Sequence, residues 1–204
     1  MAGGEGFHSF YIANCVFNSF MCYTAIMLNI VTIRAIRRTS SLPKPLKTLL
    51  LSLSVSDLGV GLVVHPLYIA ISAQKLQDNK EDIGQTHINT YNAFLVTANF
   101  LSFASLFGVI ILSVDRFLAI HLHLRYQELV TRKRVRTVII IIWVSSASLS
   151  LLRLWLRPLK VIYLIFAVVD VACLLPAAVL NYKIFAAARR HERQLQDLQI
   201  GRAS

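Results

Sequence analysis

An acid and a base stand side by side at the end of a long apolar run, in the segment SVDRFLAIHLHLRY that begins at Ser113. Asp115 and Arg116 therefore form a charge pair where the chain leaves its apolar surroundings. In a partly dry environment the attraction between such charges is stronger than in water, yet protonation of the acid or movement of the helices can break it. The pair is a candidate conformational switch, and a plain boundary ion pair is the alternative.

A second candidate site lies inside the apolar runs, where an ionisable side chain needs a partner or water because it is expensive to bury. Asp57 follows Lys47 by ten residues, which is about 15 Å along a helix. Ser105 precedes Arg116 by eleven residues, so it reaches a similar depth on an antiparallel neighbouring helix. The two side chains can enclose a hydrated cation, and Asn29 approaches the same level, where it can donate a hydrogen bond to Asp57. The alternative is a protonated carboxyl that only holds helices together.

The sequence has no constellation of residues that is typical of an enzyme. Its six histidines are scattered, and His121 and His123, two positions apart, diverge on a helix and do not share a metal ion. A glycine-rich phosphate loop and a G-x-S-x-G nucleophile motif are both absent from the sequence. We therefore predict no enzymatic activity, no cofactor, and no metal beyond the cation that Asp57 and Ser105 could hold.

The composition indicates a membrane protein. Of the 204 residues, 56% are hydrophobic and 15% are charged, against roughly 25% charged residues in an ordinary soluble domain. The three cysteines, Cys15, Cys22 and Cys173, all lie in apolar stretches without a paired spacing. Neither a zinc site nor a disulfide framework is indicated by such a pattern.

Five apolar stretches are long enough to cross a bilayer, which takes about 20 mainly apolar residues in a helix. They are residues 10–33, 46–72, 91–121, 135–155 and 161–187. We predict an all-α integral membrane bundle in a single domain, 1–204, because no repeat or low-complexity linker divides the chain. Residues 1–9 contain no Lys or Arg and so lack the basic front of a cleavable signal peptide. The first span is expected to remain as a membrane helix.

Basic residues cluster in alternate connections between the spans. The first and third connections and the segment after the fifth span are rich in Lys and Arg, whereas residues 74–90 carry more acidic than basic residues. The fourth connection is mildly basic. Because cytoplasmic loops carry the excess of Lys and Arg, we predict an extracellular N-terminal segment, 1–9, and a cytoplasmic tail, 188–204. This topology accounts for most of the net charge of +11, so no nucleic-acid partner is needed.

Several motifs in these spans resemble those of the rhodopsin-like (class A) G-protein-coupled receptors. LSLSVSDLGVGLVVHPL, the stretch around Asp57, resembles their second helix, and LNIVTI around Asn29 resembles the end of their first. SVDRFLAIHLHLRY is similar to the end of their third helix, with Phe117 where the family more often has tyrosine. Trp143 matches the tryptophan of their fourth helix, and NYKIFAAARRHERQ, which contains Tyr182, looks like the end of their fifth.

The resemblance implies a plasma-membrane receptor that couples an extracellular ligand to a cytoplasmic heterotrimeric G protein. In the family, the arginine of the third-helix triplet is held by its neighbouring acid at rest and is released toward the G protein on activation. Asp115 and Arg116 match these two residues, and Tyr182 matches a tyrosine of the family's fifth helix. The three residues are the implied switch.

The resemblance also gives the buried polar residues a role. Asp57 and Ser105 match the family's sodium-binding pocket, in which the ion stabilises the inactive state. Asn29 is the third member of this internal polar network. A sodium ion is therefore the one bound ion that we expect, and other members of that pocket come from the family's seventh helix.

The residues at the outer side depart from the family pattern. Tyr91 stands where the family has a third-helix cysteine, so the usual extracellular disulfide is not expected. Ala98 occupies the position of the aspartate that binds amines in aminergic receptors, which argues against a conventional amine site. Asp170, in the outer half of the fifth span, is a candidate ligand contact, and pairing with Arg153 or Arg157 is the alternative. The ligand is not identified by these residues.

The motifs extend through the fifth helix of the family's seven, and we expect the chain to comprise these five. Part of a signalling receptor is the favoured interpretation, and an incomplete gene model gives the same residues. A truncated, non-signalling receptor that modulates full-length partners is an alternative. A transporter subunit is a weaker one, since no inverted repeat is visible. Membrane lipids and, in the truncated case, other receptors are the further expected partners.

Overall fold

The computed structural model describes residues 2–77, 85–122 and 126–156, with single positions and short pieces between 164 and 189. These described residues are almost all helical, without a strand among them, which confirms the predicted all-α membrane bundle. Four helices in this part of the chain are long and apolar enough to cross a membrane. Most of the predicted fifth span, 161–187, lies outside the described residues, and the positions described within it are helical.

The helices follow one another with short connections. In chain order they are α1 (Ala2–Arg38), α2 (Lys44–Gly59), a π-helical segment (Val60–Val64), α3 (His65–Gln77), α4 (Gln85–Leu122), α5 (Tyr126–Leu129) and α6 (Arg132–Trp155). α2, the π segment and α3 are continuous and make up the second membrane-spanning helix. Together with α1, α4 and α6, this composite helix contains the predicted spans 10–33, 46–72, 91–121 and 135–155.

The helix ends follow local backbone chemistry. Pro45 lies in the first turn of α2. Backbone N–H groups in the first turn of a helix make no intrahelical hydrogen bond, so a proline there costs none. α6 begins after Thr131, whose Oγ1 accepts a hydrogen bond from the backbone N of Arg134 at 3.4 Å in the manner of an N-cap. At the end of α1, Lys47 Nζ donates to the carbonyl oxygen of Arg37 at 3.1 Å. This contact satisfies a carbonyl left free by the helix end and ties α1 to α2.

The interior of the bundle is built on α4. This helix packs against α2 and α6, while α1 packs against α2, α3 and the π segment. Several of the buried side chains are small hydroxyl groups, namely Ser54, Ser56, Ser72, Ser113, Ser146 and Ser150. Small residues allow membrane helices to approach closely, and large apolar side chains such as Phe17, Leu28 and Ile140 are exposed on the outside. The polar groups of the bundle are therefore gathered between the helices.

The π segment brings the second helix close to α1. A Cβ atom on Gly61 would lie 2.9 Å from Ile26 Cγ1 and 3.3 Å from the backbone N of Ile26. Cys22 Sγ of α1 also donates to the carbonyl oxygen of Gly61 at 3.1 Å. Pro66, just after the segment, lacks the N–H that would bond to the carbonyl of Leu62, which explains why the helix widens in the preceding turn.

Candidate functional site

α2 and α4 bring Asp57 and Ser105 into direct contact. Ser105 Oγ donates to Asp57 Oδ1 at 2.6 Å, and Ser56 Oγ lies 2.9 Å from Ser105 Oγ. Because a hydroxyl has one hydrogen and Ser105 gives it to the carboxylate, Ser105 can only accept from Ser56. The single hydrogen of Ser56 is shared between Ser105 Oγ and the carbonyl oxygen of Leu53, which lies 2.7 Å from Ser56 Oγ. Ser56 is 1% exposed and Asp57 is half-buried. The result is a chain of two hydroxyl groups that ends on a carboxylate oxygen between two membrane helices.

The chemistry of this cluster suits a small, hard cation. It offers one carboxylate and two hydroxyl groups, and oxygen ligands of this kind are those that hard cations prefer. Asp57 supplies the negative charge. In the part of the chain that the structure describes, no group of three His, Cys, Asp or Glu side chains could hold a metal ion. The donor set thus fits sodium, the ion that the family resemblance implies, and offers neither thiolate nor imidazole.

Asn29 of α1 is bound to its own helix. Its Nδ2 donates to the carbonyl oxygen of Ala25, one turn earlier, at 2.9 Å. Where water is absent, a side-chain amide satisfies its donors with the nearest carbonyl, and in a helix this is the one four residues back. The structure therefore places Asn29, half-buried, on α1, and the bond that it shows for the side chain runs to Ala25 instead of the predicted partner, Asp57.

The charge pair lies at the end of α4 and has a third member. Arg116 Nε donates to Asp115 Oδ2 at 3.0 Å, and Tyr126 Oη of α5 donates to Asp115 Oδ1 at 2.8 Å. Asp115 is 4% exposed, whereas the Arg116 side chain is 34% exposed. Adjacent residues do not face each other on a helix, so the arginine must fold back along α4 to reach the acid. Both carboxylate oxygens are occupied in this arrangement.

Tyr126 was not singled out from the sequence. It is the last residue of SVDRFLAIHLHLRY, but its contact with Asp115 depends on how α5 lies against α4, which no local pattern shows. Burial raises the pKa of Tyr126 to about 12, and the hydrogen bond to Asp115 and the negative charge of that residue act in the same direction. The phenol is therefore a neutral donor at physiological pH, as a hydrogen bond to a carboxylate requires.

At the end of the fifth span, the residue that contacts α4 is Asn181, the sequence neighbour of the predicted Tyr182. Tyr182 is 72% exposed. The side chain that contacts α4 is that of Asn181, whose Oδ1 accepts a hydrogen bond from Ser113 Oγ at 3.0 Å. Ser113, two positions before Asp115 in the sequence, is buried. Its one hydroxyl hydrogen is shared between Asn181 Oδ1 and the carbonyl oxygen of Val109, which lies at 2.8 Å. The structure thus connects the fifth span to the turn of α4 that carries the charge pair.

A further polar pair links α1 and α3. His65 Nδ1 lies 3.1 Å from Asn18 Oδ1, and both residues are half-buried. In the sequence His65 was one of six scattered histidines, and no spacing pointed to Asn18. Asp170, the predicted ligand contact, lies outside the described residues, as does Arg157, and nothing is described of the Arg153 side chain.

Comparison with known proteins gives the class to which the chain belongs. The family described as 7 transmembrane receptor (rhodopsin family) matches residues 28–160, so the chain is a member of the rhodopsin-like receptor family. It is a multi-pass membrane protein, and the prediction that it is not an enzyme is confirmed because the family is one of receptors. The matched region contains both polar sites described above, including Asn29, Asp57, Ser105, Asp115 and Arg116.

Adenosine receptors are among its relatives. The chain is 34% identical over 123 residues to the adenosine receptor A2b of Canis lupus familiaris, a stretch that covers 60% of this chain and 34% of the relative. It is 33% identical over 127 residues to the A2b receptor of Rattus norvegicus (62% and 36%). For the adenosine receptor A3 of Canis lupus familiaris the identity is 30% over 129 residues (62% and 38%). The matches thus span about a third of the length of these curated relatives.

Proposed function

We propose that this chain is the signal-transducing part of a receptor that couples an extracellular ligand to a cytoplasmic heterotrimeric G protein. One observation carries the proposal. Asp115, 4% exposed, is held by both Arg116 and Tyr126 at the end of α4, within the region that matches the receptor family. A charge pair of this kind has two states, closed and open, as a switch needs.

The geometry suits a resting state. Asp115 is surrounded by protein, so its attraction for Arg116 is stronger than it would be in water. The guanidinium is still one third exposed, which leaves it accessible to a protein that approaches the end of the bundle. Protonation of the acid or a shift of α4 against α5 would free Arg116 for that partner. Tyr182 belongs to the same proposal as a residue of the fifth span whose neighbour, Asn181, contacts α4.

The cluster of Asp57, Ser105 and Ser56 is proposed to bind sodium and to stabilise the resting state. A cation that binds one conformation more tightly shifts the population toward it. Asp57 would provide the charge, and Ser105 would turn its hydroxyl lone pairs toward the ion. Asn29 would join this network only by giving up its bond to Ala25.

The protein is proposed to lie in the plasma membrane, with its N-terminus on the outside of the cell. The support comes from the basic residues at one end of the bundle. Arg37 and Lys47 meet where α1 ends and α2 begins, and the first turn of α6 carries Arg132, Lys133 and Arg134. Excess Lys and Arg marks the cytoplasmic side of a membrane protein.

The residues do not identify the ligand. Adenosine is the first compound to test, because the relatives are named as adenosine receptors. Asp170 remains the proposed anionic contact in the fifth span. The experiment begins with transcript sequencing across the Ser204 codon, because the matches span about a third of the relatives' length. The longest reading frame that contains these 204 residues is then the protein to express.

The decisive comparison is Arg116→Ala against Arg132→Ala, which removes the same charge at an exposed position at the start of α6. Basal and adenosine-stimulated G-protein activation are measured at matched surface expression. We expect Arg116→Ala to lose activation and Arg132→Ala to keep it. Full signalling from Arg116→Ala would remove the switch role. A reading frame that ends at Ser204, together with altered trafficking of a co-expressed full-length receptor, would favour the modulator function instead.

A further inference from the structure

A groove runs between the cytoplasmic halves of α4 and α6. Its volume is about 250 Å³. The walls are aliphatic and aromatic side chains from both helices and one serine, namely Phe107, Ile110, Ile111, Val138, Ile141, Ile142 and Ser145. Ile141 is 59% exposed. In a membrane protein such an exposed side chain faces lipid, so the groove opens toward the bilayer.

The groove is not built for a polar ligand. The hydroxyl group in the groove wall belongs to Ser145, and Ser145 Oγ already donates to the carbonyl oxygen of Ile142 at 3.0 Å. The remaining wall residues offer only hydrocarbon. Binding in the groove would therefore come from the burial of apolar surface and from dispersion contacts, as it does for a hydrocarbon chain.

A basic residue continues the α6 wall of the groove toward the cytoplasmic end. Arg134, Val138, Ile141 and Ser145 stand at positions i, i+4, i+7 and i+11 of one helix, which places them along one face. Arg134 is one turn, about 6 Å, beyond Val138. Its Nη1 donates to the carbonyl oxygen of Leu129 at 3.0 Å, and its side chain is exposed. A guanidinium has five N–H donors, so this bond fixes its position and leaves others for a second acceptor.

We propose that this groove and Arg134 form a binding site for an anionic phospholipid of the inner leaflet. One acyl chain lies between α4 and α6, and the headgroup phosphate accepts hydrogen bonds from Arg134. The positive charge of Arg134 complements the headgroup phosphate, and the apolar walls of the groove complement the acyl chain. The proposal rests on the membrane location of the chain, which the family shows, and on the proposed orientation, which puts the Arg134 end of α6 at the inner leaflet. It does not depend on G-protein coupling.

The chain offers matched control positions for both parts of the site. Arg136 is two residues from Arg134, so it points to a different side of α6 and lies off the groove face. Val144 is a valine of α6, as Val138 is, but it does not line the groove. It is 60% exposed. Arg134→Gln is therefore compared with Arg136→Gln, and Val138→Phe with Val144→Phe.

The experiment is native mass spectrometry of the full chain released from nanodiscs that contain equal amounts of dioleoyl-phosphatidylserine and dioleoyl-phosphatidylcholine. Arg134→Gln is expected to lower the retained phosphatidylserine about fivefold, the effect of one basic residue near an anionic membrane. Retained phosphatidylcholine should not change. Arg136→Gln should have less than half of that effect, Val138→Phe should lower retention of both lipids, and Val144→Phe should leave both unchanged.

Other outcomes would overturn the proposal. Equal loss of phosphatidylserine in Arg134→Gln and Arg136→Gln would indicate diffuse attraction by the basic cluster. Unchanged lipid retention in Val138→Phe, with thermal unfolding like that of the unmodified chain, would exclude an acyl chain from the groove. A change in the dimer peak of Val138→Phe with the lipid peaks unaltered would show that a second copy of the chain covers this face. Arg134→Gln and Arg136→Gln alter exposed side chains, so their comparison stays informative if Val138→Phe does not fold.

Discussion

Tyr126 Oη donates a 2.8 Å hydrogen bond to Asp115 Oδ1, so a residue of α5 secures the carboxylate that Arg116 also binds. Hydrogen bonds to charged groups contribute about 1.5–3 kcal/mol when both partners are enclosed, and Tyr126 is only half-buried. We therefore expect Tyr126→Phe to raise basal G-protein activation by up to about tenfold, which corresponds to about 1.4 kcal/mol.

The measurement for Tyr126→Phe is basal activation per receptor at the cell surface. Tyr23→Phe is the control, because Tyr23 is 64% exposed on α1. Basal activation that stays at the unmodified level would mean that the phenol holds α5 in place without holding the charge pair closed. Equal increases in both variants would indicate a general loss of stability.

The titration of Tyr126 provides a second, ligand-free test. Its pKa is raised to about 12, against about 10 for a free tyrosine. A raised pKa in the folded state means that the contribution to stability is complete below pH 10 and is lost as the pH rises toward 12. The absorbance of phenolate, measured as the difference between the unmodified chain and Tyr126→Phe, should therefore appear near pH 12. A difference spectrum that titrates near pH 10 would contradict the contact with Asp115.

Sodium binding at Asp57 predicts a salt-specific effect on stability. In nanodiscs, thermal unfolding of the chain should move to higher temperature when potassium chloride is replaced by sodium chloride at equal ionic strength. A ligand that binds only the folded state stabilises it by RT ln(1 + c/Kd), where c is the free ligand concentration, so the stabilisation grows with the logarithm of that concentration. Asp57→Asn should abolish the shift because it removes the charge, and Ser105→Ala should reduce it because it removes one oxygen next to Asp57.

Ser148→Ala is the control for the sodium experiment, since Ser148 Oγ donates within α6 to Val144 O at 2.9 Å and is exposed. It should leave the sodium-dependent shift intact. A shift that persists in Asp57→Asn would place the ion elsewhere or reveal a general salt effect. In the complete receptor the same substitution is expected to remove the sodium sensitivity of agonist binding.

The close approach at Gly61 predicts an asymmetric response to alanine. In Gly61→Ala the new Cβ would meet Ile26 Cγ1 at 2.9 Å and the backbone N of Ile26 at 3.3 Å, so α1 must move. Overpacking of this kind typically costs about 1–3 kcal/mol. At Gly108 the nearest atom is Leu53 Cδ1 at 3.4 Å, an ordinary contact. Thermal unfolding should be lower for Gly61→Ala and unchanged or higher for Gly108→Ala, and equal melting temperatures would disprove the tight contact.

Those parts of the fold that depend on one-dimensional patterns were predicted from the sequence. Apolar length predicted the spans, and counting residues from Lys47 and Arg116 placed Asp57 and Ser105 at one depth, where they do meet. Depth is a property of helix rise, which is the same for every residue. The adjacent acid and base at the end of α4 also needed no tertiary information.

Contacts that depend on competition between partners were not predicted. The side chain of Asn29 donates to the carbonyl oxygen of Ala25 on its own helix at 2.9 Å, whereas the expected partner was Asp57. Tyr126 of α5 meets Asp115 of α4, a contact across eleven residues of sequence that has no local signature. The π segment at Val60–Val64 has the composition of any apolar helix, and only Pro66 just after it hinted at an irregular turn. Hydropathy and spacing fix where a helix lies and leave open which neighbour each polar atom chooses.

Two buried serines of α6 predict opposite effects of the same substitution. Ser150 is 1% exposed, and its Oγ donates to the carbonyl oxygen of Val96 in α4 at 2.7 Å. Ser146, one turn earlier, is 0% exposed, and its Oγ has no hydrogen-bond partner among the described residues. Ser150→Ala should destabilise the bundle by about 0.6 kcal/mol, the average for hydrogen bonds between membrane helices. Ser146→Ala should be neutral or stabilising, because it removes an unsatisfied buried polar group.

The two serine variants are compared by thermal unfolding in the same nanodiscs. They differ from the unmodified chain by one oxygen each and occupy the same face of the same helix, since they are four residues apart. The sign of the difference between them therefore reports the α4–α6 hydrogen bond alone. Equal destabilisation by both substitutions would show that Ser146 also has a partner, and no effect of Ser150→Ala would mean that Val96 does not hold the two helices together.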